Sequence, residues 1–167
     1  MSSLSEITKE LAHVVHEGNL FVHRVARDRA DNTFVADFDI DGKHPYLYEN
    51  AAIANHVSGT TFLEVARQLL KAIGHLYYDV PPTNRFALRE MHTEFPRWAR
   101  IAVPICAQVE VNAESTHPGG SRSSFDVRIT FLQEGAPVCR AAGKFLTFSR
   151  KLEDRLMART LGQAVRP

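Results

Sequence analysis

The stretch TTFLEVARQLLKAIGHLYY, residues 60–78, decides how the rest of the chain can fold. Phe62, Leu63, Val65, Ala66, Leu69, Leu70, Ile73 and Tyr77 recur at helical spacing and cover most of a helical circumference, which is the pattern of a helix buried on nearly every side. Its polar residues, Glu64, Arg67, Gln68, Lys71 and His75, fall on one narrow stripe, so only that stripe is left to face water or a site. Asp79 to Pro82 ends the helix sharply, because proline cannot donate the next backbone bond. Gly74 inside it costs about 1 kcal/mol relative to alanine, which implies the close approach of another backbone.

A helix this apolar needs a sheet around it, and the flanking sequence supplies strands. Upstream, Leu20–Val25 reads as a strand, and in Thr33–Ile40 the residues Phe34, Ala36, Phe38 and Ile40 alternate with polar neighbours. Downstream come Phe86–Phe95, then Ile101, Val103, Ile105, Ala107, Val109 and Val111 in strict alternation, then Phe125, Val127, Ile129 and Phe131. Glu134-Gly135 turns that last strand back into Val138–Phe148 as a hairpin. One long helix inserted early and followed by long antiparallel strands requires a curved sheet that wraps the helix, an α+β hotdog fold. A cystatin-like cone has similar element counts, but its helix would usually come first. Outside the core of residues 18–149, Leu4, Ile7, Leu11, Val14 and Val15 read as an amphipathic helix over 4–16, with Ser3 and Glu6 as a capping box. Ser149 caps a charged helix over 151–161, and Lys43–Ser58 reads as a long loop with at most one helical turn.

Composition narrows the function classes. The chain has 167 residues, 44% of them apolar and 23% charged, with 20 basic against 19 acidic side chains. That is one domain with an ordinary core, spanning 1–167, and not a disordered segment. A formal charge of +1 with both signs interspersed offers no sustained positive field for nucleic acid. No apolar run approaches the length that spans a bilayer, and Met1–His16 lacks the features of a secretory leader, so a soluble cytoplasmic protein without a membrane association is expected. Cys106 and Cys139 fit no metal spacing and are expected to be reduced and structural. His13 and His16 lie three apart with no third ligand in sequence, so no metal site is expected, and no cofactor is called for.

The chemistry concentrates at Asn55-His56-Val57-Ser58-Gly59-Thr60, just before the long helix, and at Glu64, Arg67 and Gln68 within it. Backbone N–H groups near Gly59 and Thr60, with the helix dipole behind them, favour negative charge, such as that developing on a thioester carbonyl oxygen. Glu64, about one turn in, can act as a general base where its surroundings raise its pKa toward neutrality. The competing reading is an ordinary surface carboxylate that bonds Gln68 or pairs with Arg67 and Lys71. His56 precedes the helix start and is either a proton carrier or a local cap. His75 and His92 read as surface decoration. Arg85, Arg89, Arg97 and Arg100 read either as a solvated face paired with Glu90 and Glu94, or as forks for an acidic partner. Tyr46, Tyr48, Tyr77, Tyr78, Phe86 and Phe62 could line an acyl tunnel, and core packing explains them equally well.

Gly59, Glu64 and Arg67-Gln68 together resemble the central-helix signature Gly-x-x-x-x-Glu-x-x-Arg-Gln of the A-factor biosynthesis, or AfsA-like, hotdog family. Val22-His23-Arg24, Asn55-His56 where the family often has Asp-His, Tyr78-x-Val80-Pro81, Phe86-x-Leu88-Arg89 and Gln133-Glu134-Gly135 are similar to family features, so the resemblance covers roughly residues 20–148. It implies an acyltransferase that moves a β-ketoacyl group from an acyl-carrier-protein or coenzyme A thioester to a small hydroxylated acceptor such as dihydroxyacetone phosphate, in butyrolactone or butenolide signal biosynthesis. Carried onto matching positions, Glu64 and His56 are the catalytic candidates, with Glu64 as base or orienter. Asn55, Gly59, Thr60, Arg67 and Gln68 are the substrate-binding candidates. Family synthases typically contain two hotdog repeats and this chain has length for one, so a homodimer that restores the pair is expected. Asn50 stands where hotdog dehydratases carry a loop histidine. Thioester hydrolysis, dehydration and a non-catalytic acyl-binding module remain the alternatives.

Overall fold

Helix α1, Gly59–Tyr77, is the axis of the molecule. Val65, Ala66, Leu69, Ala72 and Ile73 are at most 1% exposed, as their near-continuous apolar circumference requires. Around it lies one seven-stranded antiparallel sheet: β1 (Ser5–Glu6), β2 (Val22–Arg27), β3 (Thr33–Phe38), β4 (Arg85–Glu94), β5 (Ile105–Glu114), β6 (Arg122–Gln133) and β7 (Ala136–Phe148), in the spatial order β1-β2-β3-β5-β6-β7-β4. A second helix, α2 (Arg150–Ala164), follows β7. This is the α+β hotdog architecture, identified from a computed structural model that describes residues 4–28, 32–38, 40, 55–114 and 122–164. Most of the loop expected over Lys43–Ser58, with His44, Tyr46, Tyr48 and Asn50, lies outside the described residues.

The core forms where the alternating strands meet α1. Phe34, Ala36 and Phe38 of β3, Ala107, Val109 and Val111 of β5, and Phe125, Val127, Ile129 and Phe131 of β6 are all buried. Phe62 of α1 rests on Phe131 with ring centroids 5.0 Å apart, and Phe38 meets Phe131 edge-on at 5.6 Å. Tyr77 and Tyr78 tie the end of α1 to the strands: the Tyr77 hydroxyl reaches Ser5 Oγ and the Val25 carbonyl, and that of Tyr78 reaches Asn32 Oδ1 and the Val111 carbonyl. They act as braces for the helix end. Gly74 is buried because the Phe86 ring lies over it; a Cβ there would stand 3.1 Å from that ring. The close approach is therefore by a side chain and not by the backbone its position suggested.

Two elements differ from their sequence pattern. Residues 4–16 do not form a helix: Ser5 and Glu6 pair with Val25 and Arg24, the Ile7 N–H donates to the His23 carbonyl at 2.8 Å, and turns lead through His13 at φ 52° to a 3-10 turn at Glu17–Asn19. A short isolated helix is marginal, whereas the sheet edge satisfies this backbone and still lets Ile7 and Ala12 reach the core. Strand β5 starts at Ile105, later than the alternation from Ile101 suggests. Ala102 sits at φ 60° and Pro104 has no N–H to give, so residues 101–103 turn instead. The buried Gln133 side chain holds that turn, accepting from the Arg100 N–H and donating to the Arg100 and Val103 carbonyls.

Strand β4 follows α1 and takes the far edge of the sheet, pairing among the described residues only with β7. Its register shifts between Leu88 and Glu90, and there it comes close to Gly143 of β7. A Cβ on Gly143 would stand 2.5 Å from the Glu90 carbonyl oxygen and 3.2 Å from Met91 Cα. Backbone cannot yield cheaply, so Gly143→Ala is expected to lower the urea midpoint, at a cost of about 1–3 kcal/mol. Gly18→Ala, whose added methyl would meet nothing within 4 Å, should leave the midpoint within about 0.5 kcal/mol.

Candidate active site

The polar stripe of α1 breaks into a buried half and a half-exposed one. Gln68 is fully buried. Its Oε1 accepts from the Phe21 N–H at 2.9 Å, and its Nε2 donates to the Asn19 carbonyl and to Glu64 Oε1, both at 2.8 Å. The 3-10 turn and the entry to β2 are thereby pinned to α1 by one side chain. Glu64 is bound further by Arg67, whose Nε and Nη2 donate to its two oxygens at 2.7 and 2.5 Å. Burial opposes the charge on Glu64, but the bonds from Arg67 and Gln68 and the charges of Arg67 and Lys71 outweigh it and hold the carboxyl below its ordinary value. The raised pKa that a general base at neutral pH needs is absent from this arrangement, which instead presents a fixed, ionised carboxylate.

Glu64 and Arg67 stand on the wall between two clefts, with Thr60 lining both. One cleft, of about 540 Å³, lies against the N-terminal turns and is lined also by His13, His16, Asn19 and Phe21. The other, of about 370 Å³, opens between α1 and β4 among Leu63, Leu70, Lys71, Phe86, Leu88 and Met91. The second has the apolar walls that an acyl chain requires. Of the aromatic residues read either as tunnel lining or as core, Phe86 lines this cleft and Phe62 is core.

The remaining sequence candidates surround the start of α1. Ser58 is extended before the helix, yet its side chain does not cap it; Ser58 Oγ bonds Thr60 Oγ1 at 2.9 Å and Thr61 Oγ1 at 3.0 Å. Gly59 lies under the Phe95 ring, where a Cβ would be 3.1 Å from Cζ. Asn55, at φ 48°, accepts from the Ile101 N–H, and Val57 donates to the Ala99 carbonyl at 2.8 Å. This short pairing holds His56 opposite Arg100, with its ring 4.4 Å from that of Trp98. Neither cleft lined by Glu64 includes His56, so within one chain the structure does not bring these two candidates together. Arg85 pairs with Glu153 and Arg100 with Glu134, rather than with Glu90 or Glu94. Both cysteines are free, Cys139 being buried with its thiol pushed up to about 12.

Two histidines outside the sequence candidates belong to this region. His75 Nδ1 lies 2.7 Å from the Val80 carbonyl, which can only accept, so Nδ1 carries the proton. His75 Nε2 lies 2.9 Å from His13 Nε2, one of the two donating and the other accepting. His75 is half-buried and paired, not surface decoration. Burial first, then the charges of Lys71, His75, Arg67 and Arg85, push His13 down to about 4, and burial likewise lowers His75. The stripe of polar residues on α1 contained His75 and Lys71 as signals; His13 was marked only by its spacing from His16, and a helix over 4–16 would not have directed it here.

The comparisons with known proteins agree with this architecture. In fold, the chain is a hotdog domain: it matches the dehydratase heterocomplex ApeI:P from Xenorhabdus doucetiae at a TM-score of 0.66 and 11% identity, covering 92% of this chain and 97% of that one. It matches a hot-dog-like protein from Thermanaerovibrio acidaminovorans at a TM-score of 0.53 and 17% identity, covering 76% and 89%. It also matches a hypothetical thioesterase protein with coenzyme A from Streptococcus pneumoniae TIGR4 at a TM-score of 0.48 and 14% identity, covering 73% and 83%. The family model of the A-factor biosynthesis hotdog domain matches residues 2–149, and the chain belongs to that family. No protein of curated function matches the chain in sequence. Among the described residues, no group of ligating side chains could hold a metal ion, and no helix is long and apolar enough to cross a membrane.

Two outcomes are expected. Gln68→Leu removes its bonds to the Phe21 N–H and the Asn19 carbonyl, and should cost roughly 2–4 kcal/mol in urea unfolding. Between the ordinary histidine value of 6.5 and about 4, the unfolded chain takes up a proton that folded His13 refuses. Stability is therefore complete above that window and falls as pH falls through it; in His13→Gln/His75→Gln the slope across it should flatten, as read by thermal melts at stepped pH.

Proposed function

We propose that this chain is an acyltransferase acting on acyl thioesters, moving a β-ketoacyl group from a carrier-protein or coenzyme A thioester to a small hydroxylated acceptor such as dihydroxyacetone phosphate, as in butyrolactone-type signal biosynthesis. The observation that carries the reading is the placement of Glu64 and Arg67 on the wall between two clefts, of which the α1–β4 one is lined mostly by apolar side chains, with Gln68 buried behind Glu64 and bonded to it. The acyl chain occupies the α1–β4 cleft, with the thioester carbonyl near Gly59 and Thr60, where the helix N-terminus favours the charge that develops on its oxygen. The acceptor hydroxyl oxygen attacks the thioester carbon, the C–S bond breaks, and the hydroxyl proton passes to the leaving thiolate. Glu64, ionised and held by Arg67 and Gln68, orients the acceptor hydroxyl as a hydrogen-bond acceptor. Gln68 fixes Glu64 and has no free polar atom for substrate.

A second copy completes this site. Among the described residues, strand β4 pairs on one side only, and it is exposed along most of its length; an open edge of this kind is a template for another strand. Antiparallel pairing of β4 with β4 about a two-fold axis brings the segment Phe95–Trp98 of one copy beside Arg85–Leu88 of the other. His56, packed on Trp98, then reaches the α1–β4 cleft of the second copy, where it serves as proton carrier, with Asn55 beside it. Exposed Leu88, Phe95 and Trp98 are covered in the same step.

Purified protein with a β-ketoacyl thioester and dihydroxyacetone phosphate should yield the acceptor ester by mass spectrometry, and Glu64→Ala should lower the yield rate about tenfold or more. Free acid without acceptor would turn the reading to thioester hydrolysis; no product in any tube would favour an acyl-binding module. Sedimentation should give twice the chain mass of 18.7 kDa, and Leu88→Glu/Phe95→Glu should shift it to the monomer.

A further inference from the structure

The described lysines differ in what surrounds their amines. Lys9 and Lys151 are exposed, and Lys144 pairs with Asp126 at 3.6 Å. Lys71 is half-buried on α1, and its amine has no ion-pair or hydrogen-bond partner among the described residues. It lines the α1–β4 cleft of about 370 Å³ together with Leu70, Phe86, Leu88 and Met91. Lysine ordinarily sends its amine out to water over an apolar stem. Here burial is the largest influence on the amine itself, ahead of the charge of Arg67, with Glu64 opposing and Arg85 adding, and the amine comes down from 10.5 to about 8. The titratable and charged groups that face it are Glu64, Arg67 and His75 on α1, Arg85 on β4 and His13 on the N-terminal turns. Glu64 is held by Arg67, and Glu153 of α2 meets Arg85 at 3.2 Å, so neither carboxylate is within pairing distance of Lys71.

A lysine amine in an apolar cleft, beside other cations and bound to nothing, is arranged as a nucleophile, because desolvation and like charge both favour its neutral form. We propose that Lys71 is a covalent carbonyl-binding residue, which forms an imine with an aliphatic ketone whose alkyl chain lies in the α1–β4 cleft. The lone pair of the neutral amine attacks the carbonyl carbon and the C=O π pair moves to oxygen; a proton then passes from nitrogen to that oxygen, giving a carbinolamine. The nitrogen lone pair expels the hydroxyl, which takes up a proton and leaves as water, and loss of the remaining N–H proton leaves a neutral C=N bond. The charges of Arg67 and Arg85 favour the alkoxide of the first step. Leu70, Phe86, Leu88 and Met91 hold the alkyl chain and keep water from the imine. When protonated, the imine draws electrons from the neighbouring carbon, so the chemistry it serves is proton loss or bond formation at the carbon beside a carbonyl. This site stands without the acyl-transfer reading, since no thioester takes part in it.

The test is reductive trapping of the full chain with methyl pentyl ketone and sodium cyanoborohydride, which reduces an imine to a stable secondary amine, followed by peptide mass mapping. At neutral pH Lys71 should carry the label at least about tenfold ahead of Lys9 and Lys151, because a lowered amine holds more of its neutral form. This comparison is made within one folded protein and needs no variant. The rate at Lys71 should climb as pH rises through about 8 and level off above it, and it should saturate with ketone concentration. Lys71→Met and Lys71→Arg should both lose the preferred label, although Lys71→Arg keeps the positive charge. Label spread evenly over the lysines, equal yield in wild type and Lys71→Met, or no label at all overturns the site. Acetone labelling Lys71 as fast as methyl pentyl ketone overturns it as well, because the cleft would then contribute nothing. Preferred label at Lys71 in a protein that transfers no acyl group counts against the acyl-transfer reading alone.

Discussion

The structure depends on what happens when a polar side chain is driven fully inside. Helix α1 is so nearly apolar all round that Gln68, on the edge of its polar stripe, is enclosed when the sheet closes. A buried amide must find partners for both ends. Gln68 finds them in the Phe21 N–H, the Asn19 carbonyl and the Glu64 carboxylate. The same bonds that satisfy it fix the entry to β2 against α1 and select one position for Glu64. Fold and site therefore share a single residue, and the carboxylate inherits the rigidity of the core.

From that fixed carboxylate outward, charge organises the surface. Glu64 neutralises Arg67, but the row continues through Lys71 toward His75 and gains Arg85 from β4, with His13 added by the N-terminal turns. Thr60, Glu64 and Arg67 belong to both clefts: the α1–β4 side is mostly apolar, and the side against the N-terminal turns mixes His13, His16 and Asn19 with Val14, Val15 and Phe21. A molecule with an apolar chain and a charged or hydroxylated end matches that division. The open edge of β4 borders the apolar side, which is why pairing with a second copy and completion of the cleft are one event in this account.

Much of this is legible in the sequence. The helix over 60–78 lies at 59–77, the hairpin turns at Glu134-Gly135, both of which have positive φ, and the later strands fall close to where alternation puts them, apart from the delayed start of β5 at Ile105. Period alone suffices because each of these segments is long and buried on a defined face. It fails over 4–16, where Leu4, Ile7, Leu11 and Val14 fit a helix, but the edge of β2 offers backbone partners that no local pattern reveals. That failure also hides the site's second half. His13 reaches His75 only because its segment turns, and the role of Gln68 depends on a carbonyl and an N–H far from it in sequence. Glu64 becomes a candidate through the motif it shares with Gly59, Arg67 and Gln68, whereas the sense of its pKa shift requires knowing which donors surround it.

The central claim is that Glu64 is an ionised carboxylate held by Arg67 and Gln68, acting by position rather than by taking a proton. The most direct measurement is the titration of the Glu64 side-chain carbonyl carbon by NMR in the folded chain, assigned with Glu64→Gln. A midpoint below 4.5, the ordinary value, that rises when Arg67 is replaced by Met is the result this account predicts. A midpoint displaced toward neutrality in the wild type would contradict it and return Glu64 to the role of general base.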